Sequence, residues 1–230
     1  MCCYKIVLSH IKRGDLLFLI SVRVSHLLGF CLGFFSMVFP DCFLFLLKEI
    51  RNSFHTIRCM RKISSVGQKT IFQYYSRFFN PQYISIGKRC LVADFSLLEA
   101  PSFDYSLQQP VMKLGDGCII GEYNHITCTN KIIIGDNFLT GRFVLITDNS
   151  HGNSTFVDME VSPMSRKVVS AGPVIIGNNV WVGDKVSILP NVRIGDGVVI
   201  GANSVVTTDI PSYCVACGIP AKVIKVLADA

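Results

Sequence analysis

A chain of 230 residues, half of them hydrophobic and 17% charged, has ample apolar material for a packed core and excludes bulk disorder. Its net charge of +6 is unevenly placed: residues 1–80 carry eleven Lys/Arg against Asp15, Asp41 and Glu49, a sum of +8, which leaves −2 for residues 81–230. A basic, apolar head on a nearly neutral body signals a membrane surface rather than nucleic acid, since no basic groove motif or RNA-binding signature accompanies it.

The head comes first in chain order. Residues 16–47 are strongly apolar, but Arg23, His26, Pro40 and Asp41 interrupt them, and the longest stretch without a charge or histidine is the 14 residues from 27 to 40. That falls short of the ~20 residues a bilayer span needs. Lys5, Lys12 and Arg13 flank one side, and Lys48, Arg51, Arg58, Arg61 and Lys62 the other. Residues 1–80 therefore read as a helical, hydrophobic, basic N-terminal segment. Two uses fit it: residues 1–60 as an interfacial helix or re-entrant hairpin on an anionic leaflet, or a helical cap or oligomer contact. A signal peptide fits poorly, because no small-x-small cleavage site follows. Ten scattered cysteines point to a reducing cytoplasm. The one close pair, Cys214 and Cys217, has no second pair or histidine nearby, so no metal is expected.

From Ile86 the chain repeats in sixes. Aliphatic residues stand at 86, 92 and 98, then at 114, 120 and 126, then at 134 and 146, and finally at 176, 182, 188, 194, 200 and 206. Of the twelve phased positions from 114 onward, eleven are aliphatic, only Thr140 departs, and eight are followed by glycine. A helix would want apolar residues three and four apart. A strict six with a trailing glycine implies a short strand and a sharp turn, repeated. Three such units close one triangular coil whose aliphatic residues point inward, and stacked coils make continuous apolar columns. About five coils follow, starting near 86, 114, 134, 176 and 194, in a β-helix domain over 81–227. The phase slips after Leu98 and after Ile146, so residues 100–113 and 152–172 leave the prism as loops.

The run "VIIGNNVWVGDKVSILPNVRIGDGVVIGANSVVTTDIPSYCVACGIPAKVIK" resembles the hexapeptide-repeat acyltransferases, within them the maltose/galactoside acetyltransferase-like and polysaccharide O-acetyltransferase branch. The resemblance covers residues 84–225. It implies an all-β fold, a left-handed parallel β-helix, with active sites between the subunits of a homotrimer and acetyl-CoA as co-substrate. It also implies a donor site. Relatives bind the pantetheine arm along "VWIG" and "GAGSVV", and the phosphates with "TKDIP" and the basic residues of "PAKVIK". The matching residues here are Trp181, Gly183, Asp184, Ala202, Thr207, Thr208, Lys222 and Lys225, with Thr208 in place of the usual lysine. Trp181 stands where relatives carry a tryptophan beside the acyl donor and acceptor; otherwise an outward tryptophan needs a partner subunit to cover it.

The string "ITDNSHG" ends the third coil and opens the longest excursion, which is where a solenoid whose packed columns have no room for chemistry carries it. His151 there resembles the family's catalytic histidine. A neutral imidazole, with an ordinary pKa of ~6.5, suits removal of a hydroxyl proton at cytoplasmic pH. Asp148 has two readings, as the group that fixes the imidazole tautomer or as a loop residue. Asn124, in "EYNHIT", resembles a substrate-site asparagine of the sugar acetyltransferases; the alternative is an asparagine ladder or turn residue.

The expected activity is transfer of acetyl from acetyl-CoA to a sugar hydroxyl, in the cytoplasm or at the inner face of its membrane. A surface-polysaccharide unit is the favoured acceptor, with a free sugar or an antibiotic as the alternative. A zinc carbonic anhydrase of similar architecture would need three histidine ligands, and the solenoid holds only His125 and His151. A non-catalytic scaffold on the same fold is a further reading, against which the histidine in its loop speaks.

Overall fold

The computed structural model describes residues 23–31, 33, 41–101, 111–153 and 155–227. It divides into two compact units, residues 1–50 and 51–230. In the first, residues 23–31 are helical, and helix α1 (Asp41–Met60) begins. Leu27, Leu28, Phe30, Phe45 and Leu46 are more than half exposed there. Among the described residues no helix is long and apolar enough to cross a membrane.

The second unit is a left-handed parallel β-helix. Its three sheets are the faces of a prism. The first face stacks Ser65–Val66, Ile84–Ile86, Val111–Leu114, Lys131–Ile134, Val174–Ile176 and Arg193–Ile194. The second stacks Ile71–Phe72, Leu91–Val92, Ile119–Ile120, Leu139–Thr140, Trp181–Val182 and Val199–Ile200, then Cys214–Gly218 and Ala221–Val226. The third stacks Arg77–Phe79, Leu97–Glu99, His125–Thr127, Leu145–Thr147, Ser187–Ile188 and Val205–Val206.

Six coils therefore form, one more than the repeat predicts. The extra coil runs from Ser65 to Phe79, pairing Val66 with Ile86, Phe72 with Val92 and Phe78 with Leu98. The boundary expected at residue 80 thus lies inside the β-helix. The first loop is shorter than expected, since Val111–Leu114 is already strand, whereas the later excursion stays outside the prism until Val174 and carries a pair of antiparallel strands. Residues 102–110 lie outside the described residues.

The phased residues fill the prism. Ile120, Ile126, Ile146, Val182, Ile188 and Ile200 are at most 1% exposed, and each such side chain contributes about 1.5–3 kcal/mol of burial free energy. The trailing glycines answer to crowding between coils: a Cβ on Gly115 would sit 2.7 Å from the carbonyl carbon of Gly135. At the vertex between the first and second faces, the next residue clips one coil to another. The carboxylate of Asp136 accepts from Asp116 N–H at 2.7 Å, the amide oxygen of Asn178 from Asp136 N–H at 2.8 Å, and the carboxylate of Asp196 from Asn178 N–H at 2.6 Å.

The second half of α1 closes the first coil. Its inner face is polar: Asn52, His55 and Thr56 are buried at the i, i+3, i+4 spacing of one helix side. The edge strand Ile71–Phe72 has no coil beneath it, and helix side chains take that place. Phe72 N–H donates to Thr56 Oγ1 at 2.9 Å, and Tyr74 N–H to Asn52 Oδ1 at 3.1 Å. Of the two uses foreseen for the head, a helical cap is the one residues 51–60 serve.

This capping makes a prediction about where the chain tolerates truncation. Removing residues 1–50 leaves the β-helix folded, whereas removing 1–60 uncovers Phe72 and lowers the melting temperature. Within the full chain, Thr56→Val leaves the Phe72 N–H unpaired and costs about 1–3 kcal/mol in urea unfolding. Equal stability of the two truncations would mean that α1 is not the cap.

Candidate functional site

The longest excursion leaves from the vertex between the third and first faces. Asp148 is fully buried there. One of its oxygens accepts from Thr129 N–H at 2.8 Å, Thr129 Oγ1–H at 3.3 Å and the Asn149 amide at 3.1 Å. The other accepts from Asn130 N–H and Lys131 N–H, each at 2.8 Å. Three converging backbone donors one coil away hold this carboxylate, and His151 is not among its partners. The reading of Asp148 as the group that fixes the histidine tautomer is therefore corrected: it ties two coils together.

His151 sits on a short strand rather than an open loop. Ser150–His151 pairs antiparallel with Val168–Val169 outside the prism, and Gly152 N–H donates to Lys167 O at 2.8 Å. Gly152 has φ +81°, and a Cβ there would press to 3.0 Å from the Asp158 carboxyl carbon. Beyond it a short helix, α2 (Phe156–Glu160), starts on a capping box of Thr155 and Asp158. Hydrogen bonds from Thr155 and then Asn153 hold the Asp158 carboxyl below its ordinary value. The arm so built presents an exposed His151 whose ring has no hydrogen-bond partner among the described residues.

Asn124 lies inside the prism, 2% exposed. Its amide nitrogen donates to Thr140 Oγ1 and, at 3.1 Å, to Gly141 O, and its oxygen accepts from Val144 N–H at 2.7 Å. The side chain is bonded inside the protein rather than presented to a substrate, and of the two alternatives the turn residue is the one the structure shows, since Ser96 and Val144 rather than asparagines hold this step in the adjacent coils. His125, the other solenoid histidine, pairs through Nε2 with Glu99 Oε1 at 2.8 Å on the third face. Among the described residues no group of three or more His, Cys, Asp or Glu is placed to hold a metal. Cys214 and Cys217 stand three apart on one strand, and so face opposite ways.

The donor residues gather only in part. Trp181 points outward from the second face, 53% exposed, in register with Leu139 and Val199. Gly183 and Asp184 follow at the vertex between the second and third faces, with Ala202 one coil on. A Cβ on Gly183 would meet Ala202 N at 2.7 Å, and the Asp184 carboxylate accepts from Arg142 N–H at 2.8 Å, so both serve the stacking of coils. Lys222 and Lys225 lie exposed on the last strand of the second face, opposite Cys217 and Val215. Thr207 and Thr208 are separate from these, at the vertex opposite the second face. His151 leaves from that same vertex.

Sequence reasoning missed an aromatic ladder. At the vertex between the second and third faces, Tyr75, Phe95, Tyr123 and Phe143 stack with ring centroids 4.8, 4.8 and 5.0 Å apart. Phe95, Tyr123 and Phe143 all have φ near +60°, a region that bulky residues rarely occupy. A bulky residue at the same step of successive coils was the available signal.

Residues 173–208 match the bacterial transferase hexapeptide (six repeats) family. A Saccharomyces cerevisiae protein named as an acetyltransferase is 30% identical over 177 residues, 68% of this chain and 90% of that protein. A protein of Escherichia coli (strain K12) named as the lipopolysaccharide biosynthesis O-acetyl transferase WbbJ is 39% identical over 118 residues, 50% of this chain and 60% of its own. The galactoside O-acetyltransferase of the same strain is 40% identical over 103 residues, 43% of this chain and 45% of its own. The chain thus spans less than two thirds of the length of each of these two. Among solved structures, a galactoside acetyltransferase in complex with coenzyme A superposes with TM-score 0.50 at 26% identity, covering 74% of this chain and 68% of that one. The fold alone is shared with AntD, an N-acyltransferase from Bacillus cereus, at TM-score 0.58 and 23% identity over 72% of this chain and 85% of that one.

The contrast between the two polar residues of the vertex is testable. Asp148→Ala strands three backbone N–H groups and costs on the order of 3–5 kcal/mol in urea unfolding. His151→Ala, on an exposed arm, stays within about 0.5 kcal/mol of the parent. An Asp148→Ala protein as stable as the parent would show that the carboxylate does not hold the turn.

Proposed function

This chain belongs to the hexapeptide-repeat transferase family, and from that premise we propose that it transfers acetyl from acetyl-CoA to a hydroxyl of a sugar. The observation that carries the reading is His151, an exposed imidazole without an internal partner, set on a built arm beside otherwise featureless coils. In the proposed step His151 takes the proton of the acceptor hydroxyl as its oxygen attacks the thioester carbonyl. The tetrahedral intermediate collapses, the C–S bond breaks, and the proton passes to the departing thiolate of coenzyme A. No acyl-enzyme forms.

The donor lies along the second face, with Trp181, Gly183 and Ala202 beside the pantetheine arm and Lys222 and Lys225 on its phosphates. Within one chain His151 departs from the vertex opposite that face. A site joining the two draws on neighbouring copies, and this supports a homotrimer. The outward column of Ile119, Leu139 and Trp181, each more than 40% exposed, supplies apolar surface for such a neighbour. The relatives named for lipopolysaccharide biosynthesis and galactosides favour a surface-polysaccharide unit as acceptor. The exposed apolar side chains among the described residues of the head, such as Leu27, Leu28, Phe30, Phe45 and Leu46, in a segment rich in Lys and Arg, favour peripheral contact with the inner face of the cytoplasmic membrane.

Two kinetic outcomes follow. His151→Ala keeps its assembly state and its acetyl-CoA binding while kcat falls by ~10²–10⁴; near-normal turnover, or an acetylated enzyme trapped by mass spectrometry, overturns the mechanism. Lys222→Ala with Lys225→Ala raises the KM for acetyl-CoA about tenfold or more with less effect on kcat, the loss of two charge-assisted contacts. Thr208→Lys tests whether the third vertex of a neighbouring copy reaches the donor: a lowered KM says that it does, an unchanged one that it does not.

A further inference from the structure

The first coil and the end of α1 enclose a cavity of about 290 Å³ that the acyl-transfer reading does not use. Arg58 reaches it from the helix, Lys62 from the turn that follows the helix and Arg77 from the third face, with His55, Ser76 and Phe78 as wall. A shallower groove of about 570 Å³ shares Arg58, Arg77, His55 and Ser76 and continues along the aromatic ladder to Tyr123. Among the described residues no carboxylate lines either space.

The three cations are uncompensated. None of Arg58, Lys62 and Arg77 makes a salt bridge among the described residues. Arg51 differs, since its guanidinium already lies over the Tyr74 ring at 4.6 Å and the Tyr75 ring at 5.4 Å. Arg58 and Lys62 converge on the wall, because the field of both reaches the Cys59 thiol and that of Arg58 reaches His55. Burial first, and then Arg58, lowers the His55 pKa, so the imidazole adds no fourth charge at neutral pH. Its Nε2 lies 3.2 Å from Ser76 Oγ, which itself donates to Gln73 O at 2.7 Å. The ring is thereby fixed as wall rather than left as ligand. The one carboxylate whose field registers at His55, Asp94, accepts from Tyr75 N–H at 2.9 Å. One carbonyl of the helix end, Cys59 O, is already capped, accepting from both Lys62 and Ile63 N–H.

Like charges gathered around a concave site raise the local positive potential, which solvent screens in part because all three side chains are exposed and which a bound anion would neutralise directly. Two guanidinium forks and an ammonium, with no acid among them, offer three positive charges and more donors than a single carboxylate would use, which suits the higher charge and additional oxygens of a phosphate or diphosphate. We propose that the cavity between the end of α1 and the first coil is a phosphate-binding site, taking the phosphate or diphosphate of a soluble phosphorylated ligand or of a lipid headgroup. The cavity holds one such group, and the groove along the ladder gives whatever is attached to it a way out. This inference stands apart from the acyl-transfer reading, because its test measures binding without turnover.

The test is calorimetric titration of the full chain with inorganic pyrophosphate. Parent protein binds saturably, and the variant Arg58→Gln/Lys62→Gln/Arg77→Gln binds at least about tenfold more weakly with an unchanged melting temperature, as expected for loss of exposed charge-assisted contacts. Arg58→Lys/Arg77→Lys, which keeps the charge and loses the forks, falls between. Competition then assigns the source: displacement by vesicles of phosphatidylglycerol in phosphatidylcholine supports a headgroup, and displacement by a nucleoside diphosphate but not by vesicles supports a soluble ligand. Absence of saturable binding, or equal binding by parent and triple variant, overturns the site whether or not the protein transfers acetyl groups.

Discussion

A coil of parallel strands carries unpaired N–H and C=O groups on both its edges, and everything else in this molecule depends on how those groups are met. Between coils the next coil meets them, and six stack before the pattern ends. At the two ends something else must, because an open edge is a template for another chain. At the start, α1 turns a polar face inward, so that Thr56 and Asn52 supply the groups a further strand would have offered. At the finish, Cys214–Gly218 pairs with the sixth coil and Ala221–Val226 folds back antiparallel beside it. The buried Asn52, His55 and Thr56 look misplaced on a helix facing a hydrophobic prism until that edge is considered.

The same demand sorts the polar residues. Asn124 and Asp148 are buried because a coil needs backbone donors and acceptors satisfied where it turns, and each answers several at once. Buried and bonded within the prism, neither side chain is presented to a substrate. His151 escapes this by leaving the prism on paired strands, stiffened by Gly152 and the Thr155–Asp158 cap. Reactivity and rigidity thus occupy different parts of one turn: the arm is held at its root by Asp148 and carries its imidazole three residues further out.

Most of the fold was legible in the sequence because a period of six permits few architectures. The first coil escaped notice although Val66, Phe72 and Phe78 keep the phase and Gly67 follows Val66. The 3-10 turn Pro81–Tyr83 then shifts the phase by two before Ile86, and aromatic residues disguise the pattern. The buried fate of Asn124 was also legible. Each six has a second inward position two before the aliphatic one, and at this vertex Ser76, Ser96, Val144, Val186 and Ser204 occupy it, all buried. Ala100 and Cys128 mark the position of Asp148 as interior in the same way. The basic cavity was not legible, because Arg58 and Arg77 meet only once the helix lies across the first coil, and no spacing along the chain encodes that.

Stacking at a fixed repeat has a metrical consequence. Distance along a vertex of the prism comes in whole coils, each about 4.8 Å, as the ring spacings of Tyr75, Phe95, Tyr123 and Phe143 register directly. The vertex that begins beside Arg77 arrives at Gly183 and Asp184 four coils later. Between those two points the molecule is a ruler with graduations of one strand spacing, and its length cannot drift by a fraction of a coil without breaking every clip between them. Duplicating or excising one coil would move the two ends by a single graduation and leave both caps unchanged. In such a protein, reach is an integer.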